Sequence, residues 1–215
     1  MHFAISPPNV QLLSKRNQLS MPIEEESSMS KVIIWNLVSL DGYFEGEKKW
    51  DLDFHNHGWG EELEKLSKDF GASAACLVFG RITYEGMRDY WTTAEESEIK
   101  TFMNALPKLV ASRTLTQANW NNTRITDRIV EEIRIEKQKA APEKNIYIFG
   151  SADLSDSLLE AEIVDEVMLA LVPGQLGKGT PFFKKREHTR MFRLLEANPL
   201  KNGTLVLRYE PARQD

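Results

Sequence analysis

The stretch VFGRITYEGM, residues 78–87, joins the end of an apolar strand directly to the start of a helix. Gly80 permits the tight turn between the two elements because it has no Cβ. The free N–H groups and the positive dipole end of such a helix favour an anion. Arg81 and Thr83 add a guanidinium and a hydroxyl, which suit a phosphate. Taken alone, this stretch is explained by an ordinary strand-to-helix turn with an exposed arginine. Whether it predicts a phosphate site therefore depends on the other motifs in the chain.

On both sides of this stretch, apolar strands alternate with amphipathic helices. Strands are predicted at 32–40, 74–79, 108–111, 123–126, 145–149 and 163–173, and helices at 59–70, 82–90, 95–106, 127–140 (with Asp127 as N-cap) and 153–161. Such alternation predicts an α/β fold with a mostly parallel sheet and helices on both faces. Two closing segments, 190–198 and 203–210, predict an antiparallel C-terminal hairpin at the edge of this mixed sheet.

Residues 1–29 differ in composition from the rest of the chain. They contain three prolines, five serines and the run Glu24-Glu25-Glu26, without a sustained helical or strand period. We therefore predict a disordered N-terminal tail at 1–29 and a single domain at 30–215. Met29 stands just before the first strand, which suggests the hypothesis that translation starts there.

Charge and cysteine content exclude several classes of protein. Lys and Arg total 27 against 32 Asp and Glu, a net charge of −5, which argues against a nucleic-acid partner. Cys76 is the only cysteine, so intrachain disulfides and cysteine-based zinc sites are excluded and a reducing compartment is indicated. No apolar run approaches the roughly 20 residues of a membrane span. We expect a cytoplasmic protein with no membrane partner.

Two further strand ends carry groups that suit an anion. In LPKLVASRTL, residues 106–115, Ser112 and Arg113 follow the predicted strand and offer a hydroxyl and a guanidinium. In IYIFGSADL, residues 146–154, Gly150-Ser151-Ala152 are small residues between a strand and a helix. In an open α/β sheet, ligands bind beyond the carboxyl ends of the strands, where these turns lie.

These motifs occur in an order that resembles a known family. The matching pieces are SLDGYFEG (39–46), VFGRITYEGM (78–87), LPKLVASRTL (106–115), IYIFGSADL (146–154) and IVDEVMLALVPGQLGKGTPFF (163–183). Together they resemble the dihydrofolate-reductase-like fold, and most closely the reductase domain of bifunctional riboflavin-biosynthesis deaminase-reductases and its stand-alone relatives. The resemblance implies an NADPH-dependent reductase of a small heterocyclic or carbonyl substrate, such as the riboflavin-pathway pyrimidine, and a homodimer.

The resemblance also assigns the cofactor to the three turns described above. The first turn contacts the cofactor phosphates, the second lies by the adenosine 2′-phosphate, and the third holds the pyrophosphate. In that order, the implied residues are Gly80, Arg81 and Thr83; Ser112 and Arg113; and Gly150, Ser151 and Ala152. Two arginines at phosphate sites imply a preference for NADPH over NADH.

Hydride transfer also needs a proton for the neighbouring heteroatom of the substrate. Asp41 follows the first strand and is one candidate, although it also suits the Asp-Gly turn. Dihydrofolate reductases carry an acid early in the first helix, and the resemblance places Glu61 and Glu62 there. We take Asp41 and Glu62 as the candidate catalytic residues. A non-catalytic nucleotide- or pterin-binding protein on the same fold is the alternative function.

The segment WDLDFHNHGW, residues 50–59, alternates acids and histidines. In an extended strand, Asp51, Asp53, His55 and His57 would share one face and suit a divalent metal. We favour a polar loop over the substrate cleft, which is where the resemblance places it, without a metal. His55 or His57 would then be a further candidate proton donor.

Overall fold

The computed structural model describes residues 29–212, so the predicted tail lies outside the described residues except for Met29. The strands are β1 (Val32–Ser39), β2 (Tyr43–Glu45), β3 (Ala74–Gly80), β4 (Lys108–Ala111), β5 (Thr123–Thr126), β6 (Asn145–Phe149), β7 (Glu166–Val172), β8 (Thr180–Pro181), β9 (Phe192–Pro199) and β10 (Leu205–Pro211). The helices are α1 (His55–Gly58), α2 (Glu61–Ser73), α3 (Arg81–Thr93), α4 (Glu98–Ala105), α5 (Ile129–Lys139) and α6 (Ala152–Glu160). None of the helices among residues 29–212 is both long and apolar enough to span a bilayer.

Eight strands form one sheet in the order β5-β4-β3-β6-β1-β7-β10-β9. The pairs from β5 to β7 are parallel, whereas β10 is antiparallel to both β7 and β9. The predicted α/β class, the mostly parallel sheet and the antiparallel C-terminal hairpin are therefore confirmed. The short strands β2 and β8 form a separate antiparallel pair.

The central strand β1 is buried along its whole length, as expected for a parallel strand covered on both faces. On one face, Trp35 packs edge-on against Phe70 of α2 with ring centroids 4.9 Å apart. On the other face, Ile34 belongs to a cluster with Ile133 of α5 and Leu158 of α6. Alternate residues of β1 thus bury apolar area in two separate cores.

Several short or boundary features differ from the sequence predictions. The elements α1, β2 and β8 have four, three and two residues, too few to show a hydrophobic period. The N-cap of α5 is Arg128 and not Asp127 as predicted. The Arg128 amide donates a hydrogen bond of 3.0 Å to Thr126 Oγ1. This bond keeps Asp127 and Arg128 in a turn, so the helix begins one residue later than predicted.

The parallel strands bring the predicted site residues to one edge of the sheet. Gly80 pairs with Ala111 in register, so Ser112 and Arg113 follow directly beside the start of α3. On the other side of β3, β6 ends at Phe149 and leads into the Gly150 turn. The three turns therefore lie next to one another at the carboxyl edge.

Candidate active site

The turn after β6 is packed tightly between β1, β2 and α3. The Gly150 amide donates a hydrogen bond of 2.9 Å to Oδ1 of Asn36, a buried residue of β1. Gly150 has a φ of 51°, which favours glycine. A Cβ on it would lie 2.8 Å from both Phe44 Cζ and Thr83 Oγ1. This position therefore requires glycine for two independent reasons.

Two helix N-termini meet beside this turn. Gly80 is the N-cap of α3 and has no side chain to occupy the first helical N–H groups. Ser151 is the N-cap of α6, and its Oγ accepts from the Leu154 amide at 3.4 Å. A Cβ on Gly80 would lie 3.0 Å from Ser151 Oγ, so the two helix starts are in contact. An anion at this point would meet two positive dipole ends together.

The neighbouring strand end supplies a cation and a hydroxyl. Arg113 is exposed and makes no ion pair or hydrogen bond with any residue in the range 29–212. Ser112 Oγ accepts from the amides of Thr114 and Leu115 at 3.2 and 2.9 Å. Because the hydroxyl oxygen is the acceptor in both bonds, its proton stays available for a ligand oxygen. Arg81, by contrast, pairs with Glu85 one turn along α3, at 3.2 Å.

Asp41 joins the end of β1 to the segment that follows β7. Its carboxylate accepts from Ser39 Oγ at 2.6 Å and from the amides of Leu176 and Gly177 at 3.1 and 2.7 Å. The hydrogen bond from Ser39, followed by those from the two amides, holds the pKa of Asp41 below its ordinary value of 3.8. Asp41 is therefore ionised at neutral pH and acts in this geometry as an acceptor.

Glu62 lies in the first turn of α2 beside the loop of the C-terminal hairpin. Its Oε2 accepts from the Lys201 amide at 2.7 Å, across a cavity of about 180 Å³ between α2 and that loop. Glu62 and Asp41 are thus engaged with different parts of the chain. The other predicted acid, Glu61, begins α2 next to it and is exposed.

The loop between β2 and α1 packs over α3. A Cβ on Gly86 of α3 would overlap the indole of Trp50, so the ring lies directly on the helix backbone. Glu45 holds this arrangement, because Oε2 accepts from the Trp50 amide at 2.9 Å and Oε1 from Thr180 Oγ1 at 3.0 Å. The Glu45 carboxylate therefore anchors this loop on α3, and its place over a substrate cleft stays a prediction.

The histidines of this loop are not arranged on a strand. His55 and His57 lie in the helical turn α1, so the alternation does not place four ligands on one face. Residues 29–212 hold no cluster of three side chains suited to a metal. Burial lowers the pKa of His55 to about 4, so its imidazole is neutral near pH 7 and does not serve there as a cationic donor.

The structure brings the three predicted cofactor turns together and adds residues that the sequence reasoning missed. Asn36, Phe44 and Glu45 are the most important of these. Asn36 could have been identified from the sequence, since it is an amide within an otherwise apolar run from Val32 to Val38. Phe44 and Glu45 could not, because a three-residue strand has no recognisable sequence pattern.

A family comparison places the chain among known proteins. The family model of the RibD C-terminal domain matches residues 30–206. The chain belongs to this family. Membership in the RibD C-terminal domain family supports a reductase-like, oxidoreductase function. It also confirms the resemblance noted from the five motifs.

The chain is also similar to individual proteins. The chain is 25% identical over 186 residues to the uncharacterized protein YyaP of Bacillus subtilis (strain 168), covering 83% of this chain and 94% of YyaP. A putative riboflavin biosynthesis protein from Shewanella sp. PV-4 superposes with a TM-score of 0.70 at 20% identity, covering 85% of this chain and 99% of that one. Dihydrofolate reductase from Enterococcus faecalis, in complex with NADP(H), gives 0.55 at 17% identity, covering 87% and 98%. At these identities, the two structures show the shared fold.

Proposed function

We propose that this protein is an NADPH-dependent reductase that transfers a hydride to a small heterocyclic or carbonyl substrate. The observation that carries the proposal is the contact between the N-termini of α3 and α6, where Gly80 lies against Ser151. Few arrangements suit a diphosphate better than two converging helix dipoles with a glycine turn between them.

The residues at this edge fit a phosphorylated dinucleotide. Gly80 and Gly150 let the two turns pack against Ser151, Phe44 and Thr83 where a Cβ would clash, which keeps the starts of α3 and α6 side by side. Thr83 is buried next to this turn, and its hydroxyl has no partner among residues 29–212. NADPH, when bound, supplies the hydride. The chain's own residues bind the phosphates and orient the cofactor along the carboxyl edge.

Arg113 and Ser112 support a preference for the 2′-phosphate. Arg113 is free of intramolecular partners within the described range, and the Ser112 proton is available beside it. A guanidinium and a hydroxyl donor together are a good match for a phosphate dianion. Arg81 is less available because it must first leave Glu85. We therefore assign the larger share of the 2′-phosphate affinity to Arg113.

The roles of Asp41 and Glu62 as proton donors stay predictions. Glu62→Gln keeps an oxygen for the Lys201 amide and removes the acidic proton, whereas Glu62→Ala removes both. If Glu62 donates the proton, Glu62→Gln lowers kcat roughly 100-fold or more with the fold intact. If Glu62 only holds the hairpin loop, Glu62→Gln resembles the native protein and Glu62→Ala alone is destabilised.

A nucleotide-binding protein without turnover is the second candidate function. The observation that favours it is that both predicted acids, Asp41 and Glu62, already accept hydrogen bonds from backbone amides. Turnover on any substrate would exclude it. The test is NADPH oxidation with a panel of pyrimidinone ribosides, dihydropterins and simple carbonyl compounds.

Cofactor binding is tested by titrating the protein with NADPH and NADH and following fluorescence. We expect tighter binding of NADPH, and a loss of roughly tenfold or more in Arg113→Ala, which corresponds to one charge-assisted contact. Arg128→Ala is the matched control, because Arg128 is an exposed arginine paired with Glu131 at the start of α5. No binding of NADPH to the native protein would overturn the proposal. The single cysteine supports placing the reaction in the reducing cytoplasm.

A further inference from the structure

The connection between β4 and β5 carries the arginine to which the 2′-phosphate is assigned. These two strands are parallel neighbours, and parallel strands are usually joined through a helix. Residues 112–122, all of which the structure describes, contain no helix. We call this segment the arginine loop. The position of Arg113 therefore depends on the contacts that anchor an irregular loop.

The arginine loop makes few hydrogen bonds near Arg113. At its start, the Ser112 amide donates to the carbonyl of Thr126 at 3.0 Å. Among residues 29–212, the main chain of residues 113–118 bonds only to Ser112 Oγ. Leu115 is partly buried against the core. The far end of the loop therefore needs an anchor outside the loop.

Tyr84 of α3 provides this anchor. Its Oη accepts hydrogen bonds from the amides of Asn119 and Trp120, both at 3.1 Å. The Tyr84 side chain is fully buried, and its ring lies beside the Trp120 indole with centroids 6.0 Å apart. A single phenolic oxygen thus ties two successive amides of the arginine loop to α3.

The same helix begins at the proposed diphosphate site. Helix α3 starts at Arg81, and Tyr84 follows Thr83 directly, so Tyr84 lies about one turn from the helix N-terminus. Hydrogen bonds within the helix keep its turns at a fixed spacing. Tyr84 therefore fixes the arginine loop relative to the helix start at which the diphosphate is proposed to bind. Arginine binds phosphate through hydrogen bonds of specific geometry, so this spacing affects affinity.

We propose that Tyr84 is a positioning residue that holds Arg113 for the 2′-phosphate and so determines the preference for NADPH over NADH. This inference rests on the proposed function. Without the Tyr84 hydroxyl, the amides of Asn119 and Trp120 lose their acceptor, and an unpaired buried donor is costly. The arginine loop then shifts to satisfy these amides, and Arg113 moves with it. NADH has no 2′-phosphate, so its binding does not depend on this position.

The test compares the affinities of native protein and Tyr84→Phe for NADPH and NADH by fluorescence titration. We expect the Kd of NADPH to rise roughly tenfold in Tyr84→Phe and the Kd of NADH to change by less than about threefold. Urea unfolding measures the stability of each protein.

Tyr147→Phe is the matched control for this comparison. Tyr147 is also a buried tyrosine, and its hydroxyl is 2.9 Å from Ser73 Oγ, just before the amino end of β3. Its removal costs a buried hydroxyl far from the arginine loop. We expect lower stability with an unchanged ratio of the two affinities. A purely structural role of Tyr84 would give the same result in Tyr84→Phe.

A double variant tests whether Tyr84 acts through Arg113. If it does, adding Tyr84→Phe to Arg113→Ala causes no further loss of NADPH affinity, because the contact that Tyr84 positions is already absent. A further loss of roughly tenfold, as in the native background, would show that Tyr84 acts independently of Arg113 and would overturn the proposal.

Hydrogen exchange in the native protein decides the matter if Tyr84→Phe fails to fold. Coupling between two sites is reciprocal, so saturating NADPH should slow exchange of the Asn119 and Trp120 amides more than saturating NADH does. Equal protection by both dinucleotides would overturn the role of Tyr84, and so would a folded Tyr84→Phe that keeps the native preference. A native protein that does not bind NADPH would overturn the proposed function itself, and this inference with it.

Discussion

The amide nitrogen of Gly150 lies 2.9 Å from Oδ1 of Asn36, which couples the turn after β6 to the central strand β1. Asn36 is 114 residues away from Gly150 along the chain, and both groups are buried. This bond fixes the orientation of the Asn36 side-chain amide. In the opposite orientation, the Asn36 NH₂ group would face the Gly150 N–H, and both groups are donors. The position of the proposed pyrophosphate turn thus depends on a residue of another strand.

Asn36→Ala should destabilise the protein by about 1–3 kcal/mol, because the Gly150 amide would be left buried without an acceptor. Urea denaturation measures this free energy of unfolding. Ser155→Ala is the control, since the Ser155 hydroxyl is buried without a partner among residues 29–212 and its removal leaves no group there unpaired. Equal stability of the native protein and Asn36→Ala would contradict the role assigned to this bond.

Gly150→Ala should weaken NADPH binding roughly tenfold or more, an effect of about 1.4 kcal/mol or greater. The added Cβ would meet Phe44 and Thr83, and a φ of 51° is strained for alanine. Fluorescence titration of the folded variant measures the affinity. Gly174→Ala is the control, because a Cβ there meets no atom within 4 Å. An unchanged affinity in Gly150→Ala would place the cofactor elsewhere.

Asp41→Asn should lower stability at neutral pH and have a smaller effect in acid. The folded-state pKa of Asp41 lies below its ordinary value of 3.8, so its stabilising contribution is complete above 3.8 and is lost as pH falls through the folded pKa. Urea denaturation of both proteins at neutral pH and below pH 3.8 measures the difference. Asp53→Asn, an exposed carboxylate without hydrogen bonds to its side chain in the described range, is the control. A difference that does not change with pH would contradict the prediction.

His55→Gln should reduce the loss of stability in mild acid. The pKa of His55 is about 4 in the folded protein and 6.5 ordinarily, so the unfolded chain takes up a proton first as pH falls below 6.5. The native protein should therefore lose roughly 2–3 kcal/mol between these values through this residue. Thermal or urea unfolding across that range measures it. His57→Gln, at an exposed position, should keep the native dependence.

Sequence patterns predicted most of the long elements because each buries a regular apolar face. β4, β5 and β6 have the predicted bounds, and α2, α3 and α6 lie within a few residues of them. Short elements escaped prediction, since β2 and β8 are stabilised by pairing across more than 130 residues and not by local preference. The same limit applied to Glu45, whose two partners come from different segments.

By itself, the sequence determined the α/β class, the order of the motifs and the three turns that carry Gly80, Arg113 and Gly150. These features are local, because a glycine or an arginine at a strand end has the same chemistry in any fold that places it there. The tertiary structure decided which polar groups already have partners. Asp41 and Glu62 resemble free acids in the sequence, yet each accepts hydrogen bonds from backbone amides more than 130 residues away. Such pairing depends on how the strands are ordered in the sheet, and no local pattern encodes that order.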